Sequence, residues 1–418
     1  MPVTREKDVT KMAIELNPEQ ILAKANFIHW YKHPESRVRP WYEVSGPAGS
    51  GKTTLVKLMI KELGIDMTDV VFCAYTGKAA LQLRLSGVPG RTIHSMVYDL
   101  TIENVKDEKG YTVYENGKPK TRMKFEKREH LEPNIKLIVV DEGGMVEEHM
   151  AEDLLTFGVP VLVLGDLHQL PPVFGKPKFL THPDSILTKA MRQKEGSPII
   201  YLSQLAIAHA PIYYGFFGAH NEARVIRKDD FMRDFDLAKL ILSWSDMTIC
   251  GTNAMRDKIN QFVRKNIQHI ESNTVSVGDT LICRQNKWDI MLGGQYSDIA
   301  LVNGLVGTCT YVNKDPHQRS AFVEIDFQPE FIHDDEFADI PLNHKYLFSP
   351  YGERKAMNGM MSSSVLFEFG SAITCHLSQG SQAQKVVVIV EQWRESPEFY
   401  SWLYTAITRA RTELILII

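Results

Sequence analysis

Residues 43–54 read Glu-Val-Ser-Gly-Pro-Ala-Gly-Ser-Gly-Lys-Thr-Thr, and this stretch decides the fold of the chain. From Gly46 to Thr53 it matches the phosphate-loop pattern G-x-x-x-x-G-K followed by Ser or Thr. An apolar strand pattern ends just before the loop and a helical pattern begins at Lys52, which is the context that the motif requires. Glycines let the backbone wrap a phosphate with its N–H groups pointing inward, at a helix N-terminus whose dipole favours an anion. The pattern therefore predicts an α/β domain that binds a nucleotide.

The residues of this loop have separate predicted tasks. We expect Lys52 to reach the β- and γ-phosphates of ATP, and Thr53 to ligate Mg²⁺. The rest of the loop is predicted to hold the phosphates: Gly46, Pro47, Ala48, Gly49, Ser50, Gly51 and Thr54. A Gly-rich turn that matches by chance is the alternative, and the position of the loop between a strand and a helix argues against it.

Two further apolar strands precede polar residues. Ile138–Val140 is followed by Asp141 and Glu142, of which the first is suited to hold Mg²⁺ and the second to polarise an attacking water. A second strand, Val159–Leu164, precedes Gln169, a candidate sensor of the γ-phosphate. The alternatives are a surface turn for the carboxylate pair and, for Gln169, a loop side chain bonded to nearby backbone.

The composition is that of an ordinary globular protein. The chain has 418 residues, 44% of them apolar, and a formal net charge of −4. These values favour two to four domains, and they require any nucleic acid to be held in a local groove. The five cysteines form no C-x-x-C pair, so a zinc site or disulfide framework is not expected and a reducing compartment fits. The charged N-terminus and the lack of a long apolar run predict a cytoplasmic protein without membrane contact.

Strand and helix patterns alternate along most of the chain, which predicts parallel sheets covered by helices. The alternation breaks twice. Residues 100–132 are polar, with a turn signal at Glu115-Asn116-Gly117, and are predicted to form an inserted β-hairpin. Residues 275–369 hold short strands between turns and almost no helical pattern, which predicts an inserted small β-barrel.

In their order along the chain, these motifs resemble those of superfamily 1 helicases of the 5′→3′ branch, superfamily 1B, and in particular the RecD and Dda-like group. Asp141-Glu142 corresponds to motif II, and Gly165–Pro172 to motif III. Further stretches that resemble the family are Leu16–Gln20 (Q motif), Tyr75–Ala80 (motif Ia), Arg91–Ser95 (motif Ib), Met191–Gln193 (motif IV), Thr374–Ser381 (motif V) and Tyr404–Ala410 (motif VI). We expect a phage-encoded, stand-alone motor.

The resemblance implies two RecA-like P-loop domains with ATP and Mg²⁺ bound in the cleft between them. The first would comprise residues 1–180, and the second residues 181–274 and 370–418. The hairpin at 100–132 would act as a strand-separating pin in the first domain. Residues 275–369 would form an SH3-like β-barrel inserted in the second domain.

The resemblance also assigns further residues to the nucleotide site. Arg192 and Arg409 would reach the transferring phosphoryl group from the second domain as arginine fingers. The alternative for each arginine is a surface salt bridge. Gln20 would read the adenine, and Gly380 would lie beside the nucleotide.

Two positions depart from the family pattern. The family usually has Ser where Gly144 stands, and it usually has Lys where Leu377 follows His376. Neither departure removes a group that hydrolysis needs.

Hydroxyl, amine and imidazole groups in motifs Ia, Ib and V are the predicted contacts to a nucleic-acid strand. Such groups bond phosphates without reading bases, as a sequence-neutral motor requires. The residues are Thr76, Lys78, Thr92, His94, Thr374, His376 and Ser378. Helix capping is the alternative for each Thr or Ser.

In the hairpin, Tyr111 and Tyr114 lie among lysines and are predicted to stack on bases at a duplex junction. The alternative is an amphipathic hairpin that packs its aromatic side chains on its own domain.

The sequence thus predicts an ATP-dependent DNA helicase that moves 5′→3′ on single-stranded DNA and unwinds duplex in replication, recombination or repair. The expected partners are single-stranded DNA, duplex junctions and a single-stranded-DNA-binding protein, and the chain is expected to act as a monomer. An RNA helicase or NTPase of the same superfamily stays open, because phosphate contacts do not distinguish the sugars. A non-catalytic nucleic-acid-binding module is the other alternative, against which the intact Lys52, Asp141, Glu142 and Arg409 argue.

Overall fold

The structure is a computed structural model, and it describes residues 15–115, 118–119, 121–172, 175–189, 196–293, 299–313, 322–330, 332–357, 364–391 and 397–418. Within these ranges the chain forms two six-stranded sheets, one five-stranded sheet and three two-stranded ribbons. No helix in the same ranges is long and apolar enough to span a bilayer.

The first part of the chain alternates strands and helices, as predicted. In chain order the elements are α1 (Pro18–Lys32), β1 (Trp41–Ser45), α2 (Lys52–Leu63), β2 (Val70–Ala74), α3 (Gly77–Leu85), β3 (Gly90–Thr92), α4 (Ile93–Val97), β4 (Tyr98–Asn104), β5 (Tyr114–Glu115), β6 (Lys118–Pro119), β7 (Thr121–Lys127), β8 (Leu137–Asp141), α5 (Glu148–Leu155), β9 (Val161–Gly165) and β10 (Ser185–Ile186). Single turns of 3₁₀ helix lie at Pro34–Ser36, Met67–Asp69 and Gly143–Met145.

The first sheet is parallel throughout, in the order β10-β1-β9-β8-β2-β3. Its strands β2 and β9 are buried along their whole length, because helices cover both faces of a parallel sheet. The carboxyl ends of parallel strands meet at one edge. The phosphate loop after β1, Asp141 at the end of β8, Asp166 after β9 and Thr76 after β2 therefore share that edge.

The boundary predicted at residue 180 is wrong, because the first sheet continues beyond it. Ser185 and Ile186 form β10, which pairs with Val44 and Ser45 of β1. Polar contacts hold this segment in place: the Asp184 carboxylate accepts from the backbone N–H of Glu43 at 2.7 Å and from Arg39 at 2.7 Å. A boundary between β10 and the helix that begins at Pro198 fits these contacts.

The predicted hairpin is present. Its arms, β4 and β7, run from Tyr98 to Lys127, whereas the predicted limits were 100–132. β4 and β7 pair antiparallel from Tyr98↔Lys127 to Asn104↔Thr121. Between these arms, β5 and β6 pair with each other in a separate two-stranded ribbon, at Tyr114↔Pro119 and Glu115↔Lys118. The predicted turn residues Asn116 and Gly117 lie outside the described residues.

The remaining elements form the second sheet and the insertion. In chain order they are α6 (Pro198–Ile207), β11 (Gly215–Phe217), β12 (Ala223–Ile226), α7 (Lys228–Arg233), α8 (Phe235–Trp244), β13 (Met247–Cys250), α9 (Asn253–Asn266), β14 (Thr280–Cys283), β15 (Lys287–Met291), β16 (Ala300–Leu301), β17 (Val306–Val312), β18 (Phe322–Pro329), β19 (Phe337–Asn343), α10 (His344–Phe348), α11 (Tyr351–Met357), β20 (Phe367–Phe369), β21 (Ala372–Thr374), α12 (Cys375–Ser378), β22 (Ala383–Ile389), α13 (Pro397–Ile407) and β23 (Ala410–Ile417).

The second sheet has the order β11-β12-β23-β22-β13-β21. Its last five strands run parallel, and β11 joins them antiparallel at the edge. Helices α6 and α13 cover one face, with Trp402 and Leu202 in the core between helices and sheet. Two α/β units with parallel sheets agree with the predicted fold class.

Among the described residues between 280 and 369, five strands form an antiparallel sheet in the order β19-β18-β17-β14-β20, and its core surrounds Phe327, Phe337 and Phe367. The two short helices α10 and α11 were not predicted, and they lie between β19 and β20. The antiparallel sheet agrees with a small inserted β module, and its SH3-like character stays a prediction.

Helix α9 holds both ends of the insertion. The Asn260 amide donates to the carbonyl oxygens of Phe369 at 2.9 Å and Ala372 at 3.0 Å, and it accepts from the N–H of Ala372 at 2.7 Å. Arg264 donates to the fully buried carboxylate of Asp279 at 2.6 Å. Since a buried charge requires a partner, this pair fixes the entry to the insertion.

The five cysteines are free and buried. Burial raises the pKa of the thiols of Cys73, Cys283, Cys309 and Cys375 to about 12, and it also raises that of Cys250. A buried thiol with a raised pKa behaves as a small apolar side chain. The predicted absence of a disulfide framework agrees with this arrangement.

Gly143 and Gly144 give a matched test of packing between β8 and β9. A Cβ on Gly143 would lie 2.2 Å from Cγ1 of Val163, whereas a Cβ on Gly144 would find Leu180 Cδ1 at 3.6 Å as its nearest neighbour. We expect Gly143→Ala to lower the free energy of unfolding by about 1–3 kcal/mol, because Val163 is branched and fully buried. Gly144→Ala should stay within about 0.5 kcal/mol of the wild type. Urea denaturation followed by circular dichroism measures both, and equal losses would contradict the packing assigned to Gly143.

Candidate nucleotide and nucleic-acid site

The phosphate loop has the backbone that a phosphate cradle needs. Gly49 and Gly51 adopt left-handed conformations with φ of 80° and 82°, which favour glycine. The Lys52 ammonium lies inside the loop and donates to the carbonyl oxygens of Gly46 at 2.6 Å and Pro47 at 3.1 Å. Its position at the first turn of α2 places it where the predicted contact to a phosphate would form.

Gln20 contacts the loop and is fully engaged with backbone. Its amide nitrogen donates to the carbonyl oxygen of Ser50 at 2.9 Å, and its amide oxygen accepts from the N–H of Asn17 at 3.0 Å. Asn17 returns the bond to the N–H of Gln20, so the two residues form a capping box at the start of α1. These partners hold Gln20 against the phosphate loop, and its reading of adenine stays a prediction.

Asp141 and Glu142 lie at the carboxyl end of β8. The Asp141 carboxylate accepts from the N–H of Glu142 at 3.1 Å. Burial raises the pKa of both carboxyls, and for Glu142 the neighbouring Asp141 charge raises it further. The charge of Lys52 opposes both shifts, and that of Arg409 opposes the shift of Glu142. The two domains thus bring opposite charges to one place.

Glu142 has an unusual backbone, with φ of 52° and ψ of 42°. A non-glycine residue in this region costs on the order of 1–3 kcal/mol, and such residues cluster at functional sites. Gly143 follows and packs closely on Val163, which leaves the chain little room to relax. The conformation of Glu142 is therefore held by its surroundings.

The loop after β9 is bonded directly to the second domain. The Asp166 carboxylate accepts from the Tyr404 hydroxyl at 2.6 Å. The N–H of Leu170 donates to Oγ1 of Thr405 at 2.9 Å, and the carbonyl oxygen of Leu170 accepts from the Gln379 amide at 3.1 Å. We call these three bonds the interdomain clamp. Sequence reasoning marked these residues only as members of motifs III, V and VI, without any contact between them.

Arg409 lies in the turn that follows α13, next to this clamp, and is almost fully buried. Its guanidinium donates to the carbonyl oxygens of Thr405 at 2.9 Å and Ser381 at 3.2 Å. The surface salt bridge that was the alternative for Arg409 is therefore wrong. The other predicted finger, Arg192, lies outside the described residues.

A cavity of about 230 Å³ adjoins the phosphate loop and is lined by both domains. Its wall is mainly apolar, with Leu187 from the first domain and Ile199 and Ile207 from α6. Ser203 and Gln204 add polar groups to the same wall. Such a lining suits a flat base and a ribose. No motif marked α6, whose only signal in the sequence is its apolar pattern.

The residues present fit a nucleotide with Mg²⁺. The Thr53 hydroxyl and the Asp141 carboxylate are oxygen ligands of the kind that Mg²⁺ prefers. Several polar atoms near the clamp and the loop are buried without a protein partner among the described residues, namely Ser50 Oγ, Gln169 Oε1, Gln379 Oε1 and Ser381 Oγ. Unpaired buried polar atoms are costly, so they indicate a polar ligand between the domains. Gly380, with φ of 73°, adjoins Ala79 of the first domain.

The predicted strand contacts divide into two groups. Thr76 and Thr92 cap α3 and α4, since their hydroxyl oxygens accept from the N–H groups of Ala79 at 3.2 Å and Ser95 at 3.1 Å. This is the capping alternative, and it leaves each hydroxyl proton available to donate. Thr374 precedes α12 without a side-chain cap, and His376 is exposed.

Three of the predicted strand contacts, Thr92, Lys78 and Ser378, are buried in this arrangement of the domains. Ser378 is fully buried and donates to the carbonyl oxygen of Cys375 at 2.7 Å. Lys78 is buried beside Gly304 of the insertion, and burial lowers its pKa to about 8, with Glu330 opposing the shift. That these side chains bind a strand stays a prediction.

The hairpin presents its aromatic residues in two ways. Tyr111 and Tyr114 are 71% and 66% exposed, which leaves both rings free to meet a base. Phe125 instead meets the ring of His94 edge-on at 4.9 Å, and His94 also lies 4.8 Å from the ring of Tyr98. His94 therefore connects motif Ib to the base of the hairpin.

The two departures from the family pattern have structural explanations. Gly144 has room for a larger residue, so the glycine is not required by packing. Leu377 packs against the apolar cluster of Ile282, Val306 and Ile373, which joins the insertion to β21. An apolar residue is well suited to that position.

Two family models match separate parts of the chain. Residues 35–212 match the family described as "AAA domain", and residues 369–417 match the "UvrD-like helicase C-terminal domain". Solved structures of Pif1 helicase share the fold. A structure of Pif1 at forked double-stranded DNA is 19% identical to this chain with a TM-score of 0.53, and the match covers 97% of this chain and 92% of that chain. The structure of Bacteroides Pif1 bound to single-stranded DNA is 18% identical with a TM-score of 0.53, and the match covers 97% of this chain and 93% of that chain.

Two curated relatives carry helicase names. The "ATP-dependent DNA helicase dda" of Enterobacteria phage T4 is 26% identical over 261 residues, which are 58% of this chain and 56% of that protein. The "ATP-dependent RecD2 DNA helicase" of Deinococcus radiodurans is 35% identical over 168 residues, which are 38% of this chain and 20% of that protein. The chain thus spans about half the length of the phage relative and less of the bacterial one, and phage encoding stays a prediction. By these domain matches, these relatives and the order of its motifs, the chain is similar to the helicases of superfamily 1B.

Proposed function

We propose that this protein is an ATP-dependent DNA helicase that moves 5′→3′ on single-stranded DNA and unwinds duplex. One observation carries the proposal: the phosphate loop, the Asp141–Glu142 pair and Arg409 of the other domain lie at one interface, which the interdomain clamp spans. Hydrolysis at such an interface changes the contacts between the domains. A motor needs that coupling, whereas a simple binding module does not.

The side chains at the interface have complementary tasks in hydrolysis. Lys52 would bind the β- and γ-phosphates, and Thr53 and Asp141 would hold Mg²⁺, which neutralises charge on those phosphates. Glu142 would orient the attacking water and accept its proton, for which a raised pKa makes the carboxylate a better base. Arg409, and Arg192 with it, would stabilise the charge that develops on the transferring group.

The loop from Asp166 to Leu170 would transmit the state of the nucleotide to the second domain. Gln169 has its amide oxygen buried without a partner in the described chain, so that oxygen can accept a hydrogen bond from a water beside the γ-phosphate. Its neighbour Leu170 is held at both backbone groups by Thr405 and Gln379. A movement of Gln169 on hydrolysis would therefore displace α13 and the strand contact at Thr374.

The nucleic-acid path would follow the hydroxyls of Thr76, Thr92 and Thr374 and the imidazoles of His94 and His376. Tyr111 and Tyr114 at the outer part of the hairpin would separate strands at the junction. The SH3-like insertion would support the path through its contact with α3, where Val302 meets Gly77. The protein would act as a monomer, with a single-stranded-DNA-binding protein as partner, in replication, recombination or repair.

The first test of this function concerns the phosphate loop. Lys52→Ala should reduce ATP turnover by about a hundredfold or more, because it removes the charge that binds the β- and γ-phosphates. Lys61→Ala, on the exposed side of the same helix, should behave like the wild type. The measurement is the steady-state ATPase rate with and without single-stranded DNA. Near wild-type turnover by Lys52→Ala would refute the assignment of the site.

The second test concerns the clamp. Tyr404→Phe should leave the basal ATPase rate within about twofold but lower the DNA-stimulated rate several-fold, because the buried Asp166 carboxylate loses its interdomain donor at a cost of about 1–3 kcal/mol. Tyr400→Phe is the matched control, since Tyr400 stacks on His209 inside the second domain. Equal loss of the basal and stimulated rates would assign Tyr404 to the chemistry and not to coupling.

The third test concerns polarity and the hairpin. Replacing residues 111–120 by two glycines should preserve DNA-stimulated ATPase and abolish unwinding of 5′-tailed duplex, because translocation needs the two domains whereas separation needs a wedge. Duplexes with 5′-DNA, 3′-DNA and 5′-RNA tails should be compared. Unwinding of 3′-tailed DNA alone would overturn the direction of movement, and a preference for the RNA tail would favour the RNA helicase. Parallel loss of ATPase and unwinding would make the hairpin a structural element.

A further inference from the structure

The edge of the second sheet carries an exposed aromatic face. Tyr213, Tyr214 and Phe216, in and before β11, are 70%, 52% and 61% exposed. Arg224 and Arg227 lie beside them on and after β12. We call these five residues the β11 patch. Neighbouring exposed large apolar side chains mark an interaction surface more often than a single one does.

The patch is an ordered arrangement of alternating rings and guanidinium groups. Phe216 pairs in register with Arg224, whose guanidinium lies 4.9 Å from the ring centroid. Arg227 lies 5.1 Å from the ring of Tyr214. Phe217, on the opposite face of β11, turns inward and lies 6.2 Å from Tyr201. The inward face thus packs on the domain, and the outward face is left for another molecule.

The two arginines carry charge that the described part of the chain does not neutralise with an ion pair. The nearby acid Glu222 accepts from the N–H of His220 at 3.0 Å and forms no ion pair with either arginine among the described residues. When a guanidinium group lies over an aromatic ring, its N–H donors point outward in the guanidinium plane and can bind a carboxylate. The patch therefore has the chemistry to hold an acidic group beside an apolar one.

The patch lies away from the nucleic-acid path proposed above. β11 stands at one edge of the second sheet and β21, which ends at Thr374, stands at the other. Five strand spacings of about 4.8 Å separate them, or roughly 24 Å. A strand bound along Thr374 and Thr76 would not cover β11, which favours a protein partner over the translocated nucleic acid.

We propose that the β11 patch docks an extended acidic segment of a partner protein that carries an aromatic or large apolar side chain. The partner's carboxylates pair with Arg224 and Arg227, and its apolar side chain packs on Tyr214 and Phe216. Because β11 is an edge strand, an extended backbone can also add to it, as in other strand-addition complexes. The proposal is independent of the direction and substrate of the motor.

The test uses the full chain and a fluorescein-labelled nonapeptide of three Asp-Asp-Phe repeats, followed by fluorescence anisotropy. Arg224→Glu and Arg227→Glu should each weaken binding about tenfold or more, because each loses a charge-assisted pair and adds repulsion. Phe216→Ala should weaken it several-fold. Arg233→Glu, an 81% exposed side chain on α7 with the same charge change, should bind like the wild type. A nonapeptide of Asp-Asp-Ser repeats should bind weakly to every variant.

Three outcomes would overturn the proposal. If Arg233→Glu and Arg224→Glu weaken peptide binding equally, the weaker binding comes from the change in net charge and not from a site at the patch. Wild-type binding by both patch arginine variants would remove the site. Competition of the peptide by oligo-dT, with weaker oligo-dT binding by Arg227→Glu, would make the patch a nucleic-acid surface. DNA-stimulated ATPase should stay at the wild-type rate in all patch variants, which distinguishes this site from the motor.

Discussion

The arrangement of this protein depends on the bonds that a second domain makes to the backbone of one residue. Leu170 has its N–H bound by Thr405 and its carbonyl oxygen bound by Gln379, so neither buried group is left unpaired. The carbonyl oxygen of Thr405 in turn accepts from Arg409. A continuous series of bonds therefore runs from the loop that follows β9 to the arginine that faces Glu142. Separation of the domains would break these bonds and expose several polar groups to solvent.

Different strands of the first sheet carry the predicted nucleotide site and the predicted nucleic-acid contacts. Strands β1, β9 and β8 carry the phosphate loop, the clamp loop and the carboxylates, whereas β2 and β3 lead to the helices that Thr76 and Thr92 cap. Helix α3 lies where three parts of the chain meet. The space at Gly77 is filled by Val302 of the insertion, where a Cβ would lie 2.6 Å from that of Val302, and Ala79 adjoins Gly380 of the second domain. A movement of either the insertion or the second domain would therefore change the contacts at the start of this helix.

The sequence was sufficient for features that depend on local pattern. The limits of α2 at Lys52 and Leu63 and the alternation of β1, β2, β8 and β9 follow from apolar periodicity and from the glycines that end the helices. It was insufficient where a side chain has a choice of distant partners. Gln20 satisfies its amide on Ser50, Lys78 is covered by the insertion, and β10 joins β1 because Asp184 binds its neighbours. Each of these depends on how separate segments meet in space, which no spacing of residues along the chain encodes.

The burial of all five cysteines has a practical consequence for following the motion of the domains. Thiol reagents attack the thiolate, and these thiols are both inaccessible and hard to ionise. A cysteine placed at an exposed position, such as Val38 of the first domain or Leu240 of the second, would be the only reactive one in the folded chain. Two such positions would accept a donor and an acceptor dye without prior removal of any native residue. The distance between the domains would then be readable in single molecules as the motor works.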